Sequence, residues 1–248
     1  MNAPLRIAMW SGPRNISTAM MRAWENRGDC AVADEPLYAH YLAHSGLDHP
    51  LREEIIAHGD TDWRSVTAAL AGAVPGGQPI WYQKHMSHHL LPHIDRTWVH
   101  GLANAFLIRE PSAVVQSYVK ARADVCADDI GLPQEVRLFD ELAEFRGHAP
   151  PIIDADDFLR APQAHLRALC AHFGIAFSDR MLHWPAGPRT SDGLWAPHWY
   201  AAVWRSTGFE APVGKSIRLD GEAARVADTC RPLYEHLYRF RLRIEDFA

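Results

Sequence analysis

The sequence predicts one α/β domain in which helices cover both faces of a parallel sheet, giving three α/β/α layers. Short apolar runs alternate along the chain with helix-like segments, and polar turn residues follow several of these runs. This alternation is typical of parallel sheets, since each crossover between parallel strands needs a helix. With 248 residues, of which 48% are apolar, the chain is near the upper size of one α/β domain. We therefore predict a single domain over residues 1–248.

Five strands and six helical regions are predicted from apolar patterning and from helix-starting Ser, Thr and Pro residues. The predicted strands are residues 5–10, 30–33, 80–83, 104–108 and 150–154. The predicted helices are residues 17–27, 36–44, most of 47–73, 111–122, 134–146 and a segment starting near Pro162. Residues 74–79 are predicted as a turn and residues 84–93 as a His-rich loop. The last segment, about residues 185–248, is predicted as a cap over the ligand-binding edge of the sheet.

Composition argues against several classes of protein. The formal charge of −5 disfavours a nucleic-acid binder, which needs a basic face. The four cysteines form no C-x-x-C pair, which is typical of reduced thiols in a cytoplasm. The N-terminus does not resemble a signal peptide, and no apolar run approaches the ~18 residues of a membrane helix. We predict a soluble cytoplasmic protein with neither membrane nor nucleic-acid partners, and leave its oligomeric state open.

Fifteen histidines raise the question of a metal site. His88, His89 and His93 form the densest group, but Pro92 interrupts the helical spacing of His89 and His93. No H-E-x-x-H motif or cysteine pair accompanies them. The sequence analysis therefore predicts no metal.

The segment after the first strand, SGPRNIST, has the character of a phosphate-binding loop. Loop N–H groups and the N-terminus of the following helix favour an anion there. Gly12 would allow close approach of the backbone, Arg14 would contact the anion, and Ser17 and Thr18 would donate hydroxyl hydrogen bonds. The G-x-x-x-x-G-K-[ST] motif of nucleoside-triphosphate binders is missing. The alternative interpretation is an ordinary strand–helix turn with an N-cap.

This loop resembles a motif of the sulfotransferases. Residues 13–18, PRNIST, are similar to the 5′-phosphosulfate loop P-K-S-G-T-[TS], with Arg14 in place of Lys and Ile16 in place of Gly. Residues 106–118, FLIREPSAVVQSY, resemble the family's 3′-phosphate segment, which is a strand, R-[DE]-P, and a helix carrying S-[YF]. Arg109 ends the strand and Ser117 lies two turns into the helix. Both side chains could therefore converge on one phosphate.

Further stretches extend the resemblance to about residues 5–175. Residues 156–159 (DDFL), with Pro162 and residues 173–175 (FGI), are similar to a structural segment of the family. Residues 83–92, QKHMSHHLLP, resemble K-T-H-L-P…L-L-P and would place His85 at the catalytic His of cytosolic sulfotransferases. Residues 214–216 (GKS) are the one candidate for the family's C-terminal donor loop. The resemblance implies 3′-phosphoadenosine 5′-phosphosulfate (PAPS) as the co-substrate.

The resemblance also implies roles for individual residues. Arg14 would stabilise charge on the leaving phosphate, and an acceptor hydroxyl would need a general base, for which Glu35 and His85 are the two candidates. The predicted donor-binding residues are Gly12, Pro13, Arg14, Asn15, Ile16, Ser17, Thr18, Arg109 and Ser117. The predicted acceptor is a small molecule or carbohydrate of unknown identity. Four aromatic residues are candidates for its pocket or for the core: Tyr38, Tyr41, Trp63 and Trp81.

Two other functions stay open at this point. In a nucleotide-dependent kinase, Asp154 and Ser17 would hold Mg²⁺, although the missing G-K disfavours that function. A non-catalytic nucleotide-binding protein would keep Arg14, Arg109 and Ser117 but would tolerate the loss of Glu35 and His85. Three tryptophans of the predicted cap, Trp195, Trp199 and Trp204, suit core or lid packing better than stacking on a base.

Overall fold

The structure is a computed structural model that describes residues 3–120, 122, 124–211 and 217–247. Five strands form one sheet in the order β2-β3-β1-β4-β5, and every neighbouring pair is parallel. The strands are β1 (Leu5–Ser11), β2 (Cys30–Asp34), β3 (Ile80–Met86), β4 (Ala103–Ile108) and β5 (Ile152–Asp154). The predicted parallel α/β sheet is therefore confirmed.

Helices follow the strands along the chain. The α-helices are α1 (Ser17–Asn26), α2 (Tyr38–Ser45), α3 (Arg52–His58), α4 (Trp63–Ala71), α5 (Pro111–Tyr118), α6 (Ala127–Ile130), α7 (Leu132–Arg146), α8 (Ala155–Arg160), α9 (Pro162–His172), α10 (Ala196–Trp199), α11 (Ala201–Arg205) and α12 (Gly221–Tyr238). Short 3₁₀ helices span Pro75–Gly77, Ser87–His89, Thr97–Gly101, Asp179–Leu182 and Ile244–Phe247.

The side chains of β1 alternate between the two faces of the sheet. Ile7 and Met9 pack on the first face, which α1, α8 and α9 cover. Ala8 and Trp10 pack on the second face, which α4, α5, α7 and α12 cover. Two apolar layers therefore enclose the sheet, and the predicted three-layer α/β/α arrangement is confirmed.

The connections after β1 and β4 leave the sheet on opposite sides. These strands are neighbours, yet β1 leads into α1 on the first face and β4 leads into α5 on the second. In open parallel sheets, a crevice forms outside the carboxyl ends of two such strands, and ligands bind in it. The fold thus places the predicted phosphate loop and Arg109 on the two sides of one crevice.

Strand β3 is longer than predicted, because it reaches Met86 and not Gln83. It is a central strand that pairs with β1 through Ser11↔Met86 and with β2 through Asp34↔Lys84. Pairing on both edges extends the strand into residues that the sequence analysis assigned to a His-rich loop. Lys84 and His85 consequently project from opposite faces of the sheet.

The segment predicted as a cap takes two different positions. Helices α10 and α11 contribute Trp199, Tyr200 and Val203 to the walls of the crevice. Helix α12 instead packs on α5 and α7 over the second face of the sheet. No helix within the described residues has both the length and the apolar character to cross a bilayer.

Candidate active site

A cavity of about 320 Å³ opens at the carboxyl end of the sheet, at the crevice between β1 and β4. The loop after β1 forms one wall, and Arg109, Ser117 and Tyr118 form the wall beside it. The opposite wall contains Glu35, Lys84 and residues of α10 and α11. A single cavity therefore contacts the ends of four neighbouring strands.

Side-chain hydrogen bonds hold the loop after β1 in place. Asn15 Nδ2 donates to the carbonyl of Leu107 at 2.7 Å, and Asn15 Oδ1 accepts from the N–H of Ile16 at 2.8 Å. Arg14 has φ = 56°, in the left-handed region, and its carbonyl accepts from Arg109 Nη1 at 2.8 Å. In the part of the chain that the structure describes, no side chain caps the N-terminus of α1, so its first N–H groups can bind a ligand in the cavity.

Two arginines and a serine meet on this side of the cavity. Arg14 Nε donates to Ser117 Oγ at 3.0 Å, and Arg109 contacts the Arg14 carbonyl. Among the described residues, neither arginine pairs with a carboxylate, and the buried Nε of Arg109 has no hydrogen-bond partner. Burial, and then the charge of Arg109, lowers the pKa of Arg14. Two guanidinium groups held this close favour an anion between them.

Gly12 lies behind the loop and not in the wall of the cavity. Behind it lies Glu135, a buried residue whose pKa burial raises well above the ordinary value, while the backbone of Gly12 opposes that rise. A Cβ atom on Gly12 would lie 2.2 Å from the carbonyl oxygen of Ile130. The glycine thus allows close approach of the α6 backbone, whereas the sequence analysis expected close approach of a phosphate.

Gly12→Ala is expected to lower the free energy of unfolding by about 1–3 kcal/mol, because the new methyl group meets backbone that cannot rotate away. The urea midpoint measures the effect. Gly101→Ala is the matched control, because open space surrounds Gly101 and its φ is not in the left-handed region. Equal midpoints for both variants would contradict the steric argument.

The opposite wall holds a buried cluster of ionised groups. Lys84 Nζ donates to Asp34 Oδ1 at 2.8 Å, to the hydroxyl of Tyr200 at 2.8 Å, and to Glu35 Oε1. Tyr200 donates to Asp34 Oδ2 at 2.8 Å, and Trp195 Nε1 donates to the Tyr200 oxygen at 3.0 Å. The side chains of Lys84 and Asp34 are 1% and 2% exposed, whereas that of Glu35 is 12% exposed. Glu35 is therefore the acid of the cluster that a ligand can reach.

The cluster has two carboxyl groups for one ammonium group. Burial alone would lower the pKa of Lys84, but the adjacent carboxylates of Asp34 and Glu35 raise it well above its ordinary value. Burial, together with the charge of Asp34, raises the pKa of Glu35, and Lys84 opposes that rise. Lys84 thus stays charged, and Glu35 is the excess carboxyl group, with its pKa moved towards neutrality. These are the properties of a general base.

His85 lies on the other face of β3 and does not line the cavity. It is 1% exposed, its ring stacks on Trp10 with centroids 4.3 Å apart, and its Nε2 lies 3.2 Å from Gln83 Oε1. Burial, and then the charge of Lys84, lowers the pKa of His85 to about 3. This placement does not favour His85 as the base, and the physical reason is the extension of β3 through Met86.

A sulfotransferase domain model matches residues 5–237 of the chain. The chain belongs to the sulfotransferase family. This membership supports a transferase activity, and the implied family is confirmed. The fold agrees, because a sulfotransferase from Alicyclobacillus acidocaldarius aligns with a TM-score of 0.53 at 10% identity, covering 97% of this chain and 98% of that one.

Two curated relatives from Arabidopsis thaliana match this member of the sulfotransferase family in sequence. "Branched-chain-amino-acid aminotransferase-like protein 2" is 35% identical over 231 residues, and "Branched-chain-amino-acid aminotransferase-like protein 1" is 36% identical over 213 residues. The matches cover 93% and 86% of this chain but 41% and 38% of the relatives. The chain therefore spans about two fifths of the length of these relatives.

The aromatic residues and the donor-loop candidate predicted from the sequence take different positions. Tyr38 lines the cavity. Tyr41 does not, but its ring stacks on His89, which does. Trp63 and Trp81 pack in the core of the second face of the sheet. Of the three tryptophans of the predicted cap, Trp199 lines the cavity. Residues 214–216, proposed as a donor loop, lie outside the described residues.

Asp154, the acid that a kinase would use for Mg²⁺, has a structural role in this chain. Its side chain accepts from the N–H groups of Asp156 and Asp157, both at 3.0 Å, and from the hydroxyl of Tyr234 at 2.8 Å. It therefore caps α8 and does not line the cavity. This placement removes one of the two Mg²⁺ ligands that a kinase would need, whereas Ser17, the other one, does line the cavity.

Proposed function

We propose that the chain transfers the sulfo group of PAPS to a hydroxyl or amine of a small-molecule or carbohydrate acceptor. One observation supports this most strongly: Arg14, Arg109 and Ser117 meet at the crevice, in the same cavity as the buried carboxyl group of Glu35. The two arginines suit a doubly phosphorylated nucleotide, and Glu35 suits an acceptor that must lose a proton.

The donor side fits PAPS in charge and in hydrogen bonding. Arg109 and Ser117 would hold the 3′-phosphate, and residues 13–18 with the N-terminus of α1 would hold the 5′ side. PAPS supplies a sulfo group that is activated by its bond to phosphate. Arg14 would stabilise charge on the leaving phosphate by electrostatics and hydrogen bonding, because a guanidinium does not give up its proton at neutral pH.

On the acceptor side, Glu35 would take the proton from the acceptor hydroxyl or amine. Lys84 holds the Glu35 carboxyl group through a hydrogen bond and is a positioning residue in this proposal. Tyr200, whose one hydroxyl proton goes to Asp34, accepts a hydrogen bond from Lys84 and keeps its ammonium group in place. Tyr38 and Trp199 supply aromatic walls for the acceptor. The number of aromatic groups suits a ring-containing acceptor, which would pack on them.

Adenosine 3′,5′-bisphosphate is expected to stabilise the protein against heat. At about 100 times its Kd, a ligand adds about 2.7 kcal/mol, which raises the Tm of a domain of this size by about 5–10 °C. Arg109→Ala should abolish the rise, because it removes one of the two unpaired guanidinium groups. The matched control is Arg225→Ala, at an exposed arginine of α12 whose ion pair with Glu222 is on the surface.

Differential scanning fluorimetry with each nucleotide separates the outcomes. A rise with the bisphosphate that Arg225→Ala keeps and Arg109→Ala loses supports the proposed donor site. A rise with ATP and Mg²⁺ but none with the bisphosphate would contradict the proposal and restore the kinase alternative.

A further inference from the structure

Three histidines outside the active site converge on one point of the surface. His40 and His44 lie one turn apart on α2, and His93 lies in the loop after the 3₁₀ helix Ser87–His89. One ring nitrogen from each of the three lies within 4.8 Å of the other two. His40 is buried, whereas His44 and His93 are exposed. In the sequence, His93 is grouped with His88 and His89, because α2 is about fifty residues away in the chain.

Backbone contacts fix which nitrogen of two of these rings can bind a metal. Nδ1 of His40 lies 2.7 Å from the carbonyl oxygen of Thr61, and Nδ1 of His44 lies 2.9 Å from the carbonyl oxygen of His40. A carbonyl oxygen only accepts hydrogen bonds, so both Nδ1 atoms carry the proton. Each neutral ring then presents the lone pair of its Nε2. This is the usual arrangement of metal-binding histidines, whose other ring nitrogen donates to a carbonyl or carboxylate.

The third ring completes the set of nitrogens. Nε2 of His93 lies 2.9 Å from Nε2 of His40 and donates a hydrogen bond to it, because the proton of His40 is on Nδ1. When a metal binds, the proton of His93 moves to its Nδ1, and Nε2 becomes a ligand. Two imidazole nitrogens bound to Zn²⁺ at about 2.0–2.1 Å in tetrahedral geometry are about 3.3 Å apart. This pair therefore already has nearly the required separation. The exposed ring of His44 stacks on that of His40, with centroids 4.0 Å apart, and its centroid lies 5.3 Å from that of His93.

We propose that His40, His44 and His93 form a binding site for a Zn²⁺ ion, with water completing the coordination. Three imidazoles suit Zn²⁺ and neighbouring transition metals, and the exposure of two ligands leaves a position open to solvent. The bound ion ties α2 to the loop that follows β3. Tyr38, at the start of α2, lines the active-site cavity and stacks on His89 at 4.7 Å between centroids. The ion thereby stabilises the segment that carries part of the proposed acceptor wall.

The test uses the full chain, expressed without a polyhistidine tag and stripped with EDTA, and ZnCl₂ as the probe. One Zn²⁺ is expected to bind per chain by isothermal titration calorimetry, and at about 100 times its Kd it should raise the Tm by about 5–10 °C. His44→Gln and His93→Gln should each weaken binding at least about tenfold. Both side chains are exposed, so both variants are expected to fold.

His58→Gln is the matched control. His58 is an exposed helical histidine whose Nδ1 lies 2.8 Å from the carbonyl of Glu54, as that of His44 does from His40. This variant should bind Zn²⁺ as the wild type does. Co²⁺ in place of Zn²⁺ should give the visible absorption of a tetrahedral site in the wild type and in His58→Gln. Failure to bind, or binding that His44→Gln and His93→Gln both keep, would overturn the proposal and leave the sulfotransferase proposal untouched.

Discussion

Glu35→Gln is expected to lower kcat by about 10²–10⁴-fold, the usual contribution of a general base, and to leave the affinity for adenosine 3′,5′-bisphosphate unchanged. Gln has the shape of Glu and can still accept a hydrogen bond from Lys84, but its amide takes no proton from an acceptor at neutral pH. Turnover of PAPS measures kcat, with whichever compound of a panel of alcohols, phenols and amines the wild type sulfates. The thermal shift with the bisphosphate measures the donor site separately.

The pH dependence of kcat gives an independent test of Glu35. Burial and the charge of Asp34 raise its pKa, so the ionised base forms at a higher pH than an exposed Glu would require. Wild-type kcat should therefore rise with pH over that higher range, and Glu35→Gln should lose this rise. His85→Gln should keep it in the folded protein, because His85 lies on the other face of β3. If Glu35→Gln kept the rise in kcat and His85→Gln lost it, His85 would be the base and our assignment of Glu35 would be wrong.

Local signals in the sequence were sufficient to predict that Arg14, Arg109 and Ser117 converge, which is the basis of the proposed donor site. A strand, a polar loop and a helix are consecutive in the chain at residues 5–27, and again at residues 104–118. Parallel strands bring such loops to the same edge of a sheet. The structure does bring Arg14, Arg109 and Ser117 together. Strand order could not be predicted, because it depends on crossovers between segments that are far apart.

The cavity wall that contains Glu35 and Lys84, where we propose that the acceptor binds, depends on contacts that no local pattern reveals. Tyr200 reaches Asp34 and Lys84 from more than a hundred residues away. The end of β3 was placed too early, because pairing with β1 and β2 continues through residues whose polarity suggested a loop. With the strand extended, period-2 alternation alone puts Lys84 on the face opposite His85. The one signal in the sequence was a lysine in the segment IWYQKHM, which begins as an apolar strand. That signal could have identified Lys84 as part of a buried ionic cluster.

The histidine cluster was missed for the same reason. Sequence analysis compared His93 with its neighbours in the chain, whereas its spatial neighbours lie on α2. The i, i+4 spacing of His40 and His44 was visible in the sequence, but the third ligand was not. Metal-binding sets that combine one helix with a distant loop need the tertiary structure to be recognised.

Lys84→Met is expected to lower the free energy of unfolding by about 3–5 kcal/mol, which is the usual effect of removing one partner from a buried ion pair. The substitution keeps most of the side-chain volume and removes the ammonium group. Asp34 then stays buried with hydrogen bonds from Tyr200 and from the N–H of Gly193 but with no cation beside it. The cost is therefore electrostatic and not a packing defect.

Lys120→Met is the matched control for this prediction, because it makes the same chemical change at an exposed lysine. An exposed substitution of this kind alters stability by within about 0.5 kcal/mol. Urea denaturation of the two variants beside the wild type gives both values from the midpoint and the slope. If Lys84→Met has the midpoint of Lys120→Met, the ammonium group contributes nothing net to stability. The expected electrostatic cost of leaving Asp34 buried without a cation would then be wrong.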